Sequence, residues 1–556
     1  MIGYITGFTE EKIKEIKENP YYAKKLANLI SASDDYIASD PPRIKYSELH
    51  LVETTGNRST YENVVSHYTC ALQAIALAYK FTGDEKYIMP LADIMWNICD
   101  LESWAIPFHV KECETLDRRY RWIELGSANM GRFLGEALLN TEHLLPELVV
   151  RRVKHEVRER IIKGYKMYDQ WWKRTTNNWA SVCIAGVLGS YLYFGTEEEI
   201  IEQLPSMIEI ANNFLKGFDP EGCCLEGYHY WNYGFSHFCI FADLLRNYTN
   251  GEINLFDSQR VRDIARFQEN CAINDTQCIR FADCSEEYKP TTFYAHFIKN
   301  TFPEVQIPPT DIPDDWIPDV RSIIWLDPAL QHSTMSGLKS KIYHDAQWFI
   351  YRSEAYNAVC KGGHNCEFHN HNDVGSFMIS KGGKVTFTDP GTGEYTSQYF
   401  GAERYTVLEC SARSHSVPVI NGIFQKEGLN KKSTVYTEKE NEYEISIDNG
   451  YDIPTLTSLK RRFLCEDDGV TLTDTYEFSE MPTSVVERFV SLVEPKIEEG
   501  RITVGESVLV YDPEIYELQF STDTCVRPRH IEETLYIFDL KVKNLDKNMT
   551  LEIKFI

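Results

Sequence analysis

The sequence predicts an α+β multidomain protein. A helical domain over residues 1–325, built as a toroid of helical hairpins or as an irregular bundle, is followed by an antiparallel β-sandwich over residues 326–556. Three observations carry that expectation. The 556 residues exceed what one ordinary hydrophobic core holds. The apolar period is helical from about residue 60 to 300 and changes to 2 beyond the middle of the chain. Between Phe302 and Pro328, prolines stand at 303, 308, 309, 313, 318 and 328, a density that removes backbone donors and marks a linker.

In the first domain Leu72, Ile75, Ala76 and Tyr79 fall at i, i+3, i+4 and i+7, with Gly83 as a C-terminal stop and a further helix beginning near Asp84. Helix, short turn and helix then alternate through Tyr87–Cys99, Gly126–Leu139, Trp179–Phe194 and Ile200–Leu215. No repeat of fixed length relates them, which argues against a solenoid. In the second domain Phe377 and Ile379 alternate with Met378 and Ser380, Gly382-Gly383 supplies a hairpin turn, and Val385 and Phe387 alternate on the return. Similar strands are expected at Tyr443–Ile447, Val470–Phe478, Ser507–Tyr511 and Leu551–Ile556.

Composition excludes some functions. With 57 Lys+Arg against 83 Asp+Glu, the net charge of −26 repels polyanions and argues against nucleic acid as a partner. No apolar run approaches a membrane span, and Met1–Phe8 leads into the charged stretch Glu10–Lys17 without the features of a signal peptide. Fifteen cysteines without CxxC spacing read as reduced thiols. A cytoplasmic protein with no membrane partner is expected, and a homo-oligomer is compatible with the sequence. Aromatic residues are 13% of the chain, a supply of flat surface that suits sugar rings and equally suits a large core.

The most informative stretch is His369-Asn370-His371-Asn372-Asp373-Val374-Gly375-Ser376-Phe377. If extended, it points both histidines to one face. The hairpin brings Asp389 back beside its start, and His415, on a strand-like segment over 411–421, supplies a third imidazole. His371, Asp389 and His415 form a ligand set of the kind zinc accepts. Thr175-Thr176-Asn177-Asn178-Trp179 precedes a helix, where an Asn side chain ordinarily caps free backbone N–H groups. Glu226-Gly227-Tyr228-His229-Tyr230-Trp231-Asn232-Tyr233-Gly234 concentrates hydroxyls and rings, as either core packing or the wall of a polar cleft.

Taken in order, Asn177-Asn178-Trp179, the Glu226–Gly234 element, the His369–Phe377 run, Asp389-Pro390-Gly391, Arg404-Tyr405 and His415–Gly422 resemble the heparinase II/III-like polysaccharide lyases. The resemblance spans residues 60–430. It implies an (α/α) toroid followed by an antiparallel β-sandwich, and β-elimination at a uronic acid in an acidic oligosaccharide, glycosaminoglycan- or alginate-like, to give 4,5-unsaturated uronates. It also implies zinc on His371, Asp389 and His415, bracing the site, with His369 left free as the catalytic histidine. Asn178 or Asn177 matches the carboxylate neutraliser, and Tyr230 the proton donor, with Tyr233 as the second choice. Arg404, Trp179, Trp231 and Glu226 complete the substrate-binding set, while Arg413 is expected on a solvated face. One departure is Asn178, where related lyases carry histidine, and it bears on epimer preference. Two other classes compete: a glycoside hydrolase with Glu226 as one carboxylate, for which no second acid stands in a matching motif, and a non-catalytic carbohydrate-binding protein.

Overall fold

Leu72, Ile75 and Ala76 are buried along a helix that spans Ser59–Thr82, and Gly83 closes it by returning its N–H to Tyr79 O at 2.7 Å. A short 3-10 turn, Glu85–Tyr87, capped by Asp84, leads into the helix Ile88–Asp100. The next helices are Leu125–Thr141, Asn178–Phe194 and Glu197–Leu215. Each begins at a polar cap, namely Glu124 with Ser127, Asn177, and Thr196 with Glu199. The computed structural model describes residues 8–55, 59–110, 113–284, 291–310 and 319–556. Met1–Gly7, together with Pro313 and Pro318 of the expected linker, lies outside the described residues.

The chain divides into two compact units. One comprises Met1–Gly217, Asn232–Arg262 and Pro290–Ser333, and the other Phe218–Trp231, Asp263–Lys289 and Thr334–Ile556. The first is helical. Its helices Leu125–Thr141 and Asn178–Phe194 approach closely because small residues face each other. A Cβ at Gly186 would stand 2.4 Å from the Ala128 carbonyl, so only glycine fits there. That packing fixes the start of the second helix, where Asn177 and Asn178 sit.

The second unit carries antiparallel sheets. One has five strands in the order Lys341–Tyr343, Trp348–Arg352, Tyr356–Lys361, Phe377–Lys381 and Lys384–Phe387. An eight-stranded sheet includes Glu442–Ser446, Leu456–Glu466, Gly469–Phe478, Ser507–Val510 and Asn548–Phe555. A four-stranded sheet runs Tyr516–Arg527, Ile531–Val542, Val485–Ser491 and Val419–Ile420. Inward side chains of all three meet in one core around Phe377, whose ring lies 5.4 Å from that of Phe463, 5.3 Å from that of Phe555 and 6.1 Å from that of Phe489. The hairpin Phe377–Lys381 to Lys384–Phe387, turned by Gly382 and Gly383, delivers Asp389 just past its return strand.

Two local expectations need correction. His369-Asn370-His371 is not a strand: it lies in a turn, and His369 takes φ +56°. The pair reaches one neighbourhood by loop geometry, not by alternation across a pleat. The segment 411–421 is also mostly irregular, with a 3-10 turn at Ala412–Ser414 before His415 and a strand only at Val419–Ile420. Both loops are held by hydrogen bonds to the protein interior rather than by a sheet ladder. Among the described residues, no helix is long and apolar enough to cross a membrane.

Candidate active site

Within the second unit three loops converge. Glu226 precedes the helix Tyr228–Tyr248, and the intervening Gly227, at φ +86°, lies so close to Phe281 that a Cβ would meet its carbonyl oxygen at 2.6 Å. This approach sets Glu226 and Tyr230 beside the turn that carries Asp283. The third loop is the His369–His371 run.

Asp283 is fully buried and gathers donors on both carboxylate oxygens. Oδ2 meets His369 Nδ1 at 2.7 Å, and the Tyr395 hydroxyl donates to it at 3.4 Å. Oδ1 meets His371 Nε2 at 3.1 Å and accepts from the Tyr399 hydroxyl at 2.5 Å and Arg404 Nη2 at 2.8 Å. Burial pushes this carboxyl up, but the two histidine hydrogen bonds and the Arg404 charge outweigh it and hold Asp283 well below the usual carboxylate range. An ionised Asp283 makes His369 Nδ1 and His371 Nε2 the donating nitrogens, so in the neutral imidazole His369 Nε2 and His371 Nδ1 are the lone pairs.

His369 Nε2 faces Glu226 Oε2 at 3.6 Å, and its ring is stacked on Tyr230 with centroids 3.9 Å apart. Burial pushes the Glu226 carboxyl up to about 7. The Tyr230 hydroxyl lies 2.8 Å from that of Tyr395, and burial raises its pKa well above the ordinary phenol value. Tyr230 is thus built to keep its proton until a stronger base takes it.

The other side of His371 meets the remaining two predicted ligands. His371 Nδ1 lies 3.3 Å from His415 Nε2 and 3.9 Å from Asp389 Oδ1, and His415 Nε2 lies 3.2 Å from Asp389 Oδ2. His415 Nδ1 is 2.9 Å from the Ser411 carbonyl, so in the neutral ring it carries the proton and Nε2 is the lone pair, while Asp389 beside Nε2 raises the pKa of the ring. Two lone pairs therefore face each other beside a buried carboxylate oxygen, Asp389 Oδ2, that has no hydrogen-bond partner. Such a set calls for a positive charge among its members, supplied by a proton on His415, which Asp389 favours, or by a metal ion. Zinc bound tetrahedrally at its usual N distances separates two ligand nitrogens by about 3.3 Å, so the residues fit this metal. A second group, Asp283, His371 and Cys410, also lies within metal-binding reach. It is the poorer candidate, because Asp283 is already filled by donors that include a guanidinium.

The other predicted residues are distributed as follows. Arg404 joins the cluster through Asp283 and through the Asn370 carbonyl, 3.2 Å from Nη2. Arg413 is exposed, its guanidinium on the Thr406 carbonyl. Trp231 is corrected: it is 2% exposed, its ring N–H donates to Ile264 O, and it stacks on Tyr228, so it is a core residue and offers no face to a ligand. Asn177, Asn178, Trp179 and Tyr233 belong to the helical unit. There Asn177 Oδ1 accepts from Trp179 N as a helix cap, Asn178 is buried, Trp179 meets the rings of Trp171 and His109, and Tyr233 meets His237 edge-on. Sequence reasoning missed Asp283, Tyr395 and Tyr399. None stands in a recognisable motif, although two histidines needing fixed tautomers call for a carboxylate somewhere near them.

The family model for the heparinase II/III-like C-terminal domain matches residues 335–549. No curated protein matches the chain. Among solved structures, a mutant of the heparan sulfate lyase HepC from Pedobacter heparinus is similar with a TM-score of 0.62 and 14% identity, covering 88% of this chain and 75% of that one. A heparinase III gene product gives 0.62 and 14%, covering 98% of this chain and 93% of that one. The chondroitin AC lyase of Streptomyces coelicolor, in complex with chondroitin sulphate, gives 0.57 and 9%, covering 100% and 83%. At such identities the likeness is one of fold, a helical N-terminal region followed by antiparallel C-terminal sheets. Residues 335–549 match the heparinase II/III-like C-terminal domain, and the resemblance to the heparinase II/III-like polysaccharide lyases holds.

Proposed function

We propose that the protein is a polysaccharide lyase that cleaves uronic-acid-containing glycans, glycosaminoglycan- or alginate-like, by β-elimination to 4,5-unsaturated uronates. The observation that carries this is the pairing of His369, with Asp283 on its Nδ1, against the face of a strongly protonated Tyr230. One group is arranged to accept a proton and the other to give one. The similar structures, a heparan sulfate lyase and a chondroitin AC lyase in complex with chondroitin sulphate, agree with such a substrate.

The chemical difficulty is the C5 proton, which is barely acidic while the neighbouring carboxylate keeps its charge. Asn178, or Asn177 in its place, donates an amide N–H to that carboxylate and stabilises the enolate as it forms. His369 Nε2 takes the C5 proton. The electron pair closes the C4–C5 double bond, the C4–O bond breaks, and Tyr230 gives its phenolic proton to the departing oxygen. The same proposal gives Arg404, Glu226 and Trp179 roles in substrate binding. Zinc on His371, Asp389 and His415 would supply a fixed positive charge that neutralises Asp389 and holds the loop. The same proposal includes an (α/α) toroid over 1–325, a β-sandwich over 326–556, and a cytoplasmic enzyme that takes acidic oligosaccharides.

A hydrolase has one observation in its favour, since a carboxyl raised to about 7 at Glu226 suits a general acid. Its neighbour Asp283, however, is filled by donors and has no lone pair left for a water. The experiment is direct. Purified chain is mixed with a panel of uronate oligosaccharides and followed in the ultraviolet, where the new double bond conjugated to the carboxylate absorbs. New reducing ends without that absorbance would exclude a lyase.

A further inference from the structure

One carboxylate stands between the two histidines of the His-x-His pair and gives them opposite tautomers. Asp283 Oδ2 takes His369 Nδ1 at 2.7 Å and Oδ1 takes His371 Nε2 at 3.1 Å. A carboxylate has about four lone-pair sites. Here they are filled by these two rings, the Tyr399 hydroxyl and Arg404, with Tyr395 at longer range. Neither oxygen can shift toward one ring without losing a partner on the other side.

A second observation concerns the backbone. His369 sits at φ +56°, a conformation that a residue with a Cβ adopts at a cost of about 1 kcal/mol or more. Something must hold it there. The contact that reaches across 86 residues to do so is the bond from its ring to Asp283. Arg404 pins the same loop from the other side, through the Asn370 carbonyl.

We infer that Asp283 is a positioning residue that ties the metal ligand His371 to the catalytic histidine His369, so that loading of the metal and the placement of His369 are coupled through one side chain. A metal on His371, Asp389 and His415 would hold the His371 ring; without it that ring would be freer to turn on its bond to Asp283, and Asp283, shared with His369, would pass the disturbance to the bond that aims His369 Nε2. The converse also holds: weakening Asp283 loosens His371 as a ligand. The activity half of this inference rests on the lyase assignment, whereas the metal half does not.

The test is Asp283→Asn in the full-length chain, alone and combined with His369→Ala. Zinc affinity is measured by competition with a chromophoric chelator, and turnover at saturating zinc by ultraviolet absorbance on uronate oligosaccharides. Asp283→Asn is expected to weaken zinc about 10- to 100-fold, and to lower kcat by about 10²-fold or more with little change in KM. In the His369→Ala background it should still weaken zinc but cost no further kcat, because the group it aims is gone. Zinc affinity within about twofold of wild type, or a kcat loss undiminished without His369, would overturn the coupling, as would a wild-type chain that binds no zinc. Should Asp283→Asn not fold, Asp283→Glu replaces it. That variant keeps the charge but displaces it by one methylene, and is expected to show the same losses. If the wild-type chain gives no absorbance change, it is the lyase assignment that fails, and the zinc measurements alone then judge the link from Asp283 to His371.

Discussion

Tyr230 lies face to face with His369, the ring centroids 3.9 Å apart and the planes 18° from parallel, while its hydroxyl reaches Tyr395 at 2.8 Å. The ring and the hydroxyl therefore do separate jobs, one packing the histidine and the other holding a proton. Tyr230→Phe keeps the first and removes the second. Turnover on a uronate oligosaccharide should fall by about 10²- to 10⁴-fold, while the melting temperature shifts only by what one exposed hydrogen bond contributes, at most about 1 kcal/mol. Initial rates and a thermal melt on the same preparation check this. A Tyr230→Phe enzyme at wild-type rate would move the proton donor elsewhere, with Tyr395→Phe the next variant to assay.

The convergence of His371 Nδ1, His415 Nε2 and the unpartnered Asp389 Oδ2 makes a second prediction. On the zinc proposal, chelation removes the charge that Asp389 and the two imidazoles share, so it should lower the melting temperature, and added zinc should restore it by mass action. His415→Ala removes one ligand and should abolish stoichiometric zinc, as read by elemental analysis of freshly purified chain. A zinc-free wild-type chain that melts unchanged with and without chelator would exclude the metal.

How much of this was legible in the sequence depends on what kind of contact was involved. The hairpin Phe377–Phe387 was legible because alternation and a Gly-Gly turn are local signals, and that hairpin returns Asp389 toward His371. The helical cap at Asn177 was equally local. Asp283 was not legible: it lies 86 residues before His369, in a turn without a motif, and only the tertiary fold joins them. Trp231 shows the opposite failure. Its place in an aromatic motif suggested a sugar platform, but a motif does not say which face of a helix is buried, and the indole N–H is spent on Ile264. The extended reading of His369–His371 failed because donors from elsewhere in the unit, and not a neighbouring strand, hold that loop.

A third prediction concerns pH. Burial raises the Glu226 carboxyl from 4.5 to about 7, with His369 opposing the rise and Asp283 adding to it. Below pH 4.5 the folded and unfolded chains both bind this proton. Between about 4.5 and 7 only the folded chain does, so the stabilisation is fully present below 4.5 and is lost as pH rises through 7. Its full size is about 3 kcal/mol. Glu226→Gln removes the titration, so relative to wild type it should gain stability between about pH 5 and pH 8. Urea unfolding at the two pH values measures the difference, and parallel behaviour of the two proteins would show that Glu226 titrates as an ordinary carboxylate.

The last prediction concerns what holds together the two loops that carry His371 and His415. Arg461, on the strand Leu456–Glu466, is completely buried, and its Nη1 donates to the Gly375 carbonyl at 3.0 Å and the Ser416 carbonyl at 2.7 Å. One carbonyl ends the His371 loop, and the other follows His415 directly. The opposite side of the guanidinium is paired with Asp474 at 2.6 Å. Arg461→Ala leaves Asp474 as a buried charge without its partner and should cost about 3–5 kcal/mol. Arg461→Lys restores the charge, but a single ammonium cannot reach both carbonyls and the carboxylate as the planar fork does. The lysine variant should therefore recover part of the stability while still binding zinc more weakly than wild type. Urea unfolding and chelator competition on the same variant separate the two effects. Wild-type zinc affinity in Arg461→Lys would mean that the loops hold their ligands without the carbonyl contacts, and that Arg461 acts only through Asp474.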